Sequence, residues 1–110
     1  MKPPTNSDQL HGTLDMLVLK VLGDAPLHGY AIAVRLERLS RDVLSVEEGS
    51  LYPSLYRMER RGWLASAWSV TETGRRARFY KVTKGGRAQL EAETASWLRL
   101  STAVADVLSG

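Results

Sequence analysis

The chain has 110 residues, 44% hydrophobic and 25% charged, which is typical of one folded globular domain with its own core. It contains no cysteine, so disulfides, thiol nucleophiles and cysteine-based zinc sites are excluded. Its apolar runs are too short for a membrane span or a signal peptide. We therefore expect a cytoplasmic protein that has no membrane partner.

Positive charge is concentrated in one part of the chain. The formal net charge is +3, but residues 57–87 contain nine Arg or Lys against Glu59 and Glu72. Such a segment is either a solvated basic face or the footprint of a polyanion. Arginine dominates it, and because the planar guanidinium suits phosphates and guanine edges, we favour a nucleic acid as the partner.

The N-terminal part of the chain predicts an arm and a helix. Residues 1–7, which include two prolines, are predicted to be a disordered arm. A first helix follows because apolar residues recur at intervals of three and four, at Leu10, Leu14, Leu17, Val18, Val21 and Leu22. Gly23 and Pro26 end this helix.

A second, short amphipathic helix is predicted from about His28 to Ser40. Its apolar stripe consists of Ile32, Leu36 and Leu39. The periodicity then lapses, and residues 43–46 can form a short extended piece of strand.

The third helix has an unusual outer face. Ser50 is a suitable N-cap, Pro53 then falls in the first turn, and Gly62 can end the helix in a left-handed conformation. At about 100° per residue, the buried stripe consists of Leu51, Leu55 and Met58. The opposite face combines aromatic rings and arginines, namely Tyr52, Pro53, Tyr56, Arg57 and Arg60. An alternative keeps both tyrosines in the core, where amphipathic rings also fit.

Beyond Gly62 the apolar period changes from helical to two, which indicates a strand. Leu64, Trp68 and Val70 alternate with small or polar residues, and a turn over residues 71–74 leads to a second run that contains Tyr80 and Val82. A β-hairpin is therefore predicted. Its tip carries three arginines, Arg75, Arg76 and Arg78.

The last predicted helix is too long for the core of so small a domain. Thr83 can cap it, and it reaches about Leu108, a length of roughly 36 Å. Its apolar and small residues follow the spacing of a helix packed along another helix, at Leu90, Thr94, Trp97, Ser101, Val104 and Leu108. We expect a second copy of the chain to cover this seam.

This order of elements describes a mainly α (α+β) fold, a winged helix-turn-helix over residues 8–83 followed by a dimerisation helix over residues 84–110. In such a fold the second helix of the helix-turn-helix enters the major groove of DNA. Residues that reach DNA are then expected on the third helix and on the basic hairpin, including Arg57, Arg60 and the three arginines of the tip.

The chain lacks the patterns of an enzyme. It has no G-x-S-x-G motif and no glycine-rich phosphate loop, and His11, Asp15 and His28 have no recognised metal-ligand spacing. We predict no catalysis, metal or cofactor. The alternative to DNA binding is a winged-helix protein-interaction module whose basic face binds an acidic partner.

Four segments in this order resemble the PadR family of transcriptional regulators: GTLDMLVLKVL, PLHGYAIAVRLE, VEEGSLYPSLYRMERRGWL and GRRARFYKVTKGGRAQL. The combination of HGY, EEGSLYP, ERRGW and GRR-x-x-x-Y is highly specific, although each motif alone is weak. A single helix after the hairpin resembles the compact subgroup of that family.

The resemblance implies homodimers that are joined through the C-terminal helix, bind inverted-repeat operators and usually repress nearby genes. In such folds the β-hairpin is called the wing. The resemblance implies DNA-facing roles for the three arginines of the wing and for Tyr30, Ser50, Tyr52, Pro53 and Tyr56. Similar regulators often respond to phenolic or planar aromatic effectors, and Trp97 lies on the helix whose tryptophan stacks on ligands in one branch. Simple interface packing is the alternative role for Trp97.

Overall fold

A computed structural model describes residues 7–23 and 25–110 of the chain. The elements are α1 (Ser7–Leu22), β1 (Leu27–His28), α2 (Gly29–Leu39), α3 (Glu48–Arg60), β2 (Leu64–Val70), β3 (Arg76–Val82) and α4 (Lys84–Ser109). The predicted fold class is confirmed: four helices and a small antiparallel sheet. The arm predicted over residues 1–7 lies outside the described residues, except for Ser7 at the start of α1.

The core lies where α1, α2 and α3 meet the sheet. The predicted stripe of Leu51, Leu55 and Met58 is fully buried, and Tyr80 and Val82 share the inner side of the hairpin as predicted. The other buried members of this cluster are Val18, Leu19, Val21, Leu22, Ile32, Leu36 and Leu64. Burial of these side chains from three helices and one hairpin fixes α3 against the sheet.

The sheet has three antiparallel strands in the order β1-β3-β2. In the hairpin, Leu64 pairs with Val82 and Val70 pairs with Arg76. Gly74 closes the turn with a φ of 84°, a left-handed conformation that glycine adopts at low cost. The predicted hairpin is confirmed, but β1 was not predicted because two residues are too few to show a period.

The connection between α2 and α3 differs from the prediction. Residues 43–46 form no strand, because they pair with none of the strands of the described sheet. Just before them, Arg41 and Asp42 both take left-handed backbone conformations with φ of 53° and 65°. The Ser40 hydroxyl accepts a hydrogen bond from the Leu44 N–H at 3.0 Å and stabilises this turn. Leu39 lies at the end of α2 and is exposed instead of completing the buried stripe.

The start of α3 also differs from the prediction. The helix begins at Glu48, after Glu47, whose carbonyl accepts hydrogen bonds from Ser50 and Leu51 at 3.0 and 2.9 Å. Ser50 is therefore inside the first turn and is not the N-cap. Pro53 lies inside the helix and not in its first turn, so its missing N–H removes one helical hydrogen bond.

Thr83 caps α4 as predicted. Its hydroxyl accepts from the Gly86 N–H at 3.1 Å and donates to the Gly62 carbonyl at 2.6 Å, so the end of α3 and the start of α4 are joined. Leu90 packs against the core. The 26 residues of α4 span about 39 Å and extend beyond it, which makes the molecule elongated, 54 Å against 29 and 27 Å.

Candidate nucleic-acid interface

The outward face of α3 consists of aromatic and basic side chains. Tyr56 is 63% exposed, Pro53 and Arg60 are exposed beside it, and the Arg60 guanidinium carbon lies 5.7 Å from the centre of the Tyr56 ring. Tyr56 is therefore outside the core. A rigid ring and a cation presented together suit contact with base edges and phosphates.

Tyr52 is held between α3 and α2. It is 44% exposed, and a Cβ added at Gly29 would lie 2.6 Å from its hydroxyl oxygen. The absence of a side chain at Gly29 thus lets the Tyr52 ring rest on the start of α2. Tyr30, in the first turn of α2, is 69% exposed, so the two tyrosines border one surface at the junction of the helices.

The N-terminal turn of α3 is polar and acidic. Ser50 is exposed there, as are Glu47 and Glu48. The two carboxylates offset the positive end of the helix dipole and repel phosphate. Phosphate contacts are therefore favoured at the other end of α3 and on the wing. The sequence pointed to these two acidic residues only through the EEGSLYP motif.

Arg57 is not part of the outward face. Its Nη2 donates to the Asp15 carboxylate on α1 at 2.7 Å, and its side chain is only 26% exposed. Ser54, one turn earlier, donates to the same Asp15 oxygen at 2.5 Å. Sequence reasoning missed this cluster because its partners are about 40 residues apart in the chain.

The wing arginines divide into two kinds. Arg75 and Arg76 are exposed at the tip, and Arg76 lies 4.9 Å from the centre of the Trp68 ring. Arg78 instead lies along the sheet, where its Nε donates to Ser66 at 2.8 Å.

The position of Arg78 is fixed by a link to α3. Its Nη2 is 3.5 Å from Glu59 Oε2, and the Ser66 hydroxyl donates to that same oxygen at 2.5 Å. Burial, helped by the nearby Glu59 carboxylate, raises the pKa of the Tyr80 phenol beneath this cluster, so that Tyr80 stays neutral. Glu59 therefore sets the position of the wing relative to α3.

The far half of α4 presents a broad apolar face. From the predicted seam, Trp97 and Val104 are 44% and 47% exposed, Leu108 and Thr94 are exposed, and Ser101 is partly buried. Three further apolar side chains outside the seam are also exposed, Leu98, Leu100 and Val107. Together these residues span roughly half the circumference of the helix. Leu90 alone of the seam packs on the chain's own core.

Among the residues with described side chains, no three carboxylates or histidines form a group that could hold a metal ion. Asp15, considered above as a metal ligand, instead accepts hydrogen bonds from Ser54 and Arg57. His28 packs edge-on against Phe79, with ring centres 5.2 Å apart. None of the described helices has the length and apolarity needed to cross a membrane.

Comparison with known proteins identifies the family. The model of the transcriptional regulator PadR-like family matches residues 18–92. The chain is 43% identical over 86 residues to a 37.1 kDa protein in a transposon of Streptomyces fradiae, covering 78% of this chain and 23% of that protein. It is also 40% identical over 73 residues to a transcriptional regulator of Mycobacterium tuberculosis, covering 66% of this chain and 64% of the relative.

The solved structures agree. The crystal structure of a PadR-family transcriptional regulator from Eggerthella lenta superimposes with a TM-score of 0.76 at 34% identity, covering 91% of this chain and 86% of that one. The resemblance of the four sequence segments is confirmed. The chain belongs to the PadR-like family of transcriptional regulators, whose members are DNA-binding regulators and not enzymes.

Proposed function

We propose that the protein acts as a homodimeric repressor that binds an inverted-repeat operator in double-stranded DNA and recognises its sequence through α3. The observation that carries this proposal is the exposed face of Tyr52, Pro53, Tyr56 and Arg60 on α3. Because the chain belongs to a family of transcriptional regulators, DNA binding is the most direct role for that face.

The middle of α3 makes the contacts to base edges. Tyr52 and Tyr56 offer two hydroxyl groups and flat apolar rings, and Ser50 offers a third hydroxyl two residues before Tyr52. Tyr30 extends the same surface from α2. Arg60, at the end of α3, reaches a guanine edge or a phosphate.

The wing supplies contacts to the DNA backbone. Arg75 and Arg76 lie at its exposed tip, where they can follow a phosphate chain or enter a narrow minor groove. Arg78 and Arg57 are held by carboxylates in the free protein, so they contribute less charge to DNA than the predicted set of arginines assumed.

The homodimer forms through the far half of α4. Six large apolar side chains are exposed there, and the described part of this chain does not cover them. Pairing two copies along α4 removes this surface from water and produces two-fold symmetry that matches an inverted repeat. Trp97 lies within this face. Binding of a planar aromatic effector beside Trp97 remains a prediction.

The test is selection of duplexes from a random-sequence pool, followed by competition between the selected duplex and random DNA. Tyr56→Ala should weaken binding to the selected duplex about tenfold and leave random DNA almost unaffected, as expected for one lost base contact.

A pair of charge-matched variants provides the control. Arg60→Ala should weaken binding, whereas Arg99→Ala, which removes the same charge from the exposed polar side of α4, should not. Failure to enrich any duplex would overturn the proposal. Binding of an acidic protein under those conditions would instead support the protein-interaction alternative.

A further inference from the structure

A buried carboxylate lies beneath α3, the helix that we propose reads the DNA sequence and call the recognition helix. Asp15 on α1 is 5% exposed, and its Oδ1 accepts hydrogen bonds from the Ser54 hydroxyl at 2.5 Å and from Arg57 Nη2 at 2.7 Å. Ser54 is also buried, while Arg57 is partly exposed at the margin. Because a buried charge is costly unless it is paired and hydrogen-bonded, this site is a specific anchor and not incidental packing.

Both donors come from α3 and the acceptor comes from α1. The anchor therefore joins two helices that otherwise meet through apolar side chains, such as Leu19 and Leu55. Apolar contact is non-directional and permits small rotations and shifts, whereas hydrogen bonds have narrow distance and angle limits.

The anchor lies on one flank of the outward face of α3. At about 100° per residue from Leu51, Tyr56 lies near 140°, Arg57 near 240° and Ser54 near 300°. Glu59 lies near 80°, on the other flank, where it accepts from Ser66 of the wing. The face that carries the tyrosines is thus bounded by one polar link on each side, which fixes its direction.

We propose that Asp15 is a positioning residue for DNA recognition, because its bonds to Ser54 and Arg57 fix the rotation of α3 about its axis. This inference rests on the proposed function and adds to it a residue that does not touch DNA. Since α1 also packs against α4, the anchor holds the recognition helix in a fixed relation to the helix proposed for dimerisation.

Asp15→Asn tests this inference with little change in shape. The amide removes the charge that holds Arg57 but keeps an oxygen for Ser54. Binding to the duplex selected by the wild-type protein should weaken about tenfold, the value of one displaced base contact. Binding to random DNA should hold or rise, because Arg57 is released toward phosphate. The ratio of the two affinities should therefore collapse.

A control separates positioning from loss of stability. Val21→Ala removes buried atoms from the same helix without touching the anchor. It lowers the folded fraction, which reduces both affinities equally and leaves their ratio unchanged. An unchanged ratio in Asp15→Asn would overturn the proposal, while failure of the wild-type protein to discriminate any duplex would refute the proposed function.

Amide hydrogen exchange tests the anchor without DNA. Asp15→Asn should accelerate exchange in α3 more than in α2, and Arg57→Lys, which keeps the charge but loses the planar geometry, should have a smaller effect of the same kind. Equal acceleration in the two helices would show a general loss of stability and would overturn the positioning role.

Discussion

Replacing Val104 with glutamate is expected to break the dimer. Val104 is 47% exposed in the single chain, so a second copy that covers it buries about half a valine side chain, worth roughly 1 kcal/mol. A two-fold symmetric dimer carries the change twice. The loss is therefore about 2 kcal/mol of apolar burial. Desolvating two carboxylates adds at least about 1 kcal/mol each, so the total loss is at least roughly 4 kcal/mol and the dimer weakens at least about 1000-fold.

Sedimentation equilibrium at micromolar concentration measures this change directly. The wild-type protein should have twice the chain mass of 12.2 kDa, and Val104→Glu should be a folded monomer. Thr102→Glu is the matched control, because the same charge is added on the opposite side of α4 and should leave the dimer intact. A monomeric wild-type protein, or equal masses for the two variants, would refute the reasoning.

Four further substitutions each test one local feature of the structure. Arg76→Ala should lower the salt dependence of DNA binding by about one unit of slope, and Arg78→Ala by less, because Arg78 is bound within the sheet. Gly86→Ala should lower the free energy of unfolding by about 1–3 kcal/mol in urea titrations, because its Cβ would overlap the Trp63 carbonyl oxygen. Tyr80→Phe should reduce the loss of stability at alkaline pH, because the raised pKa of Tyr80 lets the unfolded chain ionise first.

Each of these predictions would be contradicted by a specific result. Equal slopes for the two arginine variants would mean that the wing tip does not contact phosphates. Gly85→Ala is the control for Gly86→Ala, since its Cβ would meet only ordinary contacts at 3.6 Å and should stabilise the helix slightly. For Tyr80, stability should fall above about pH 10, near the unfolded pKa, and equal pH profiles for wild type and variant would contradict the assignment.

Local periodicity was sufficient to predict most of the fold. The stripe of Leu51, Leu55 and Met58 repeats every three to four residues, and the hairpin alternates every two, so both follow from neighbouring positions in the sequence. The Thr83 cap is likewise a local signal. The helix start at Glu48 was missed because backbone atoms of Glu47 close the first turn, and a side-chain pattern does not reveal that.

The residue types of the candidate site were predictable from the sequence, but the hydrogen-bond and ion-pair partners of those residues were not. The basic and aromatic residues of α3 and the wing were recognised from their spacing, and Tyr56 is indeed exposed. The carboxylates that hold Arg57 and Arg78 were not recognised. Asp15 is 42 residues from Arg57, and no spacing rule connects two positions so far apart. Tertiary contacts therefore decide which predicted arginines remain available to DNA.

Hydroxyl-radical footprinting of the selected duplex tests the central claim most directly. Two recognition helices related by two-fold symmetry should protect two equivalent patches whose centres are about one helical turn, or 10 base pairs, apart. The patches should be related by the symmetry of the DNA sequence and should both weaken in Tyr56→Ala. A single unsymmetrical patch, or uniform weak protection along the duplex, would contradict the account.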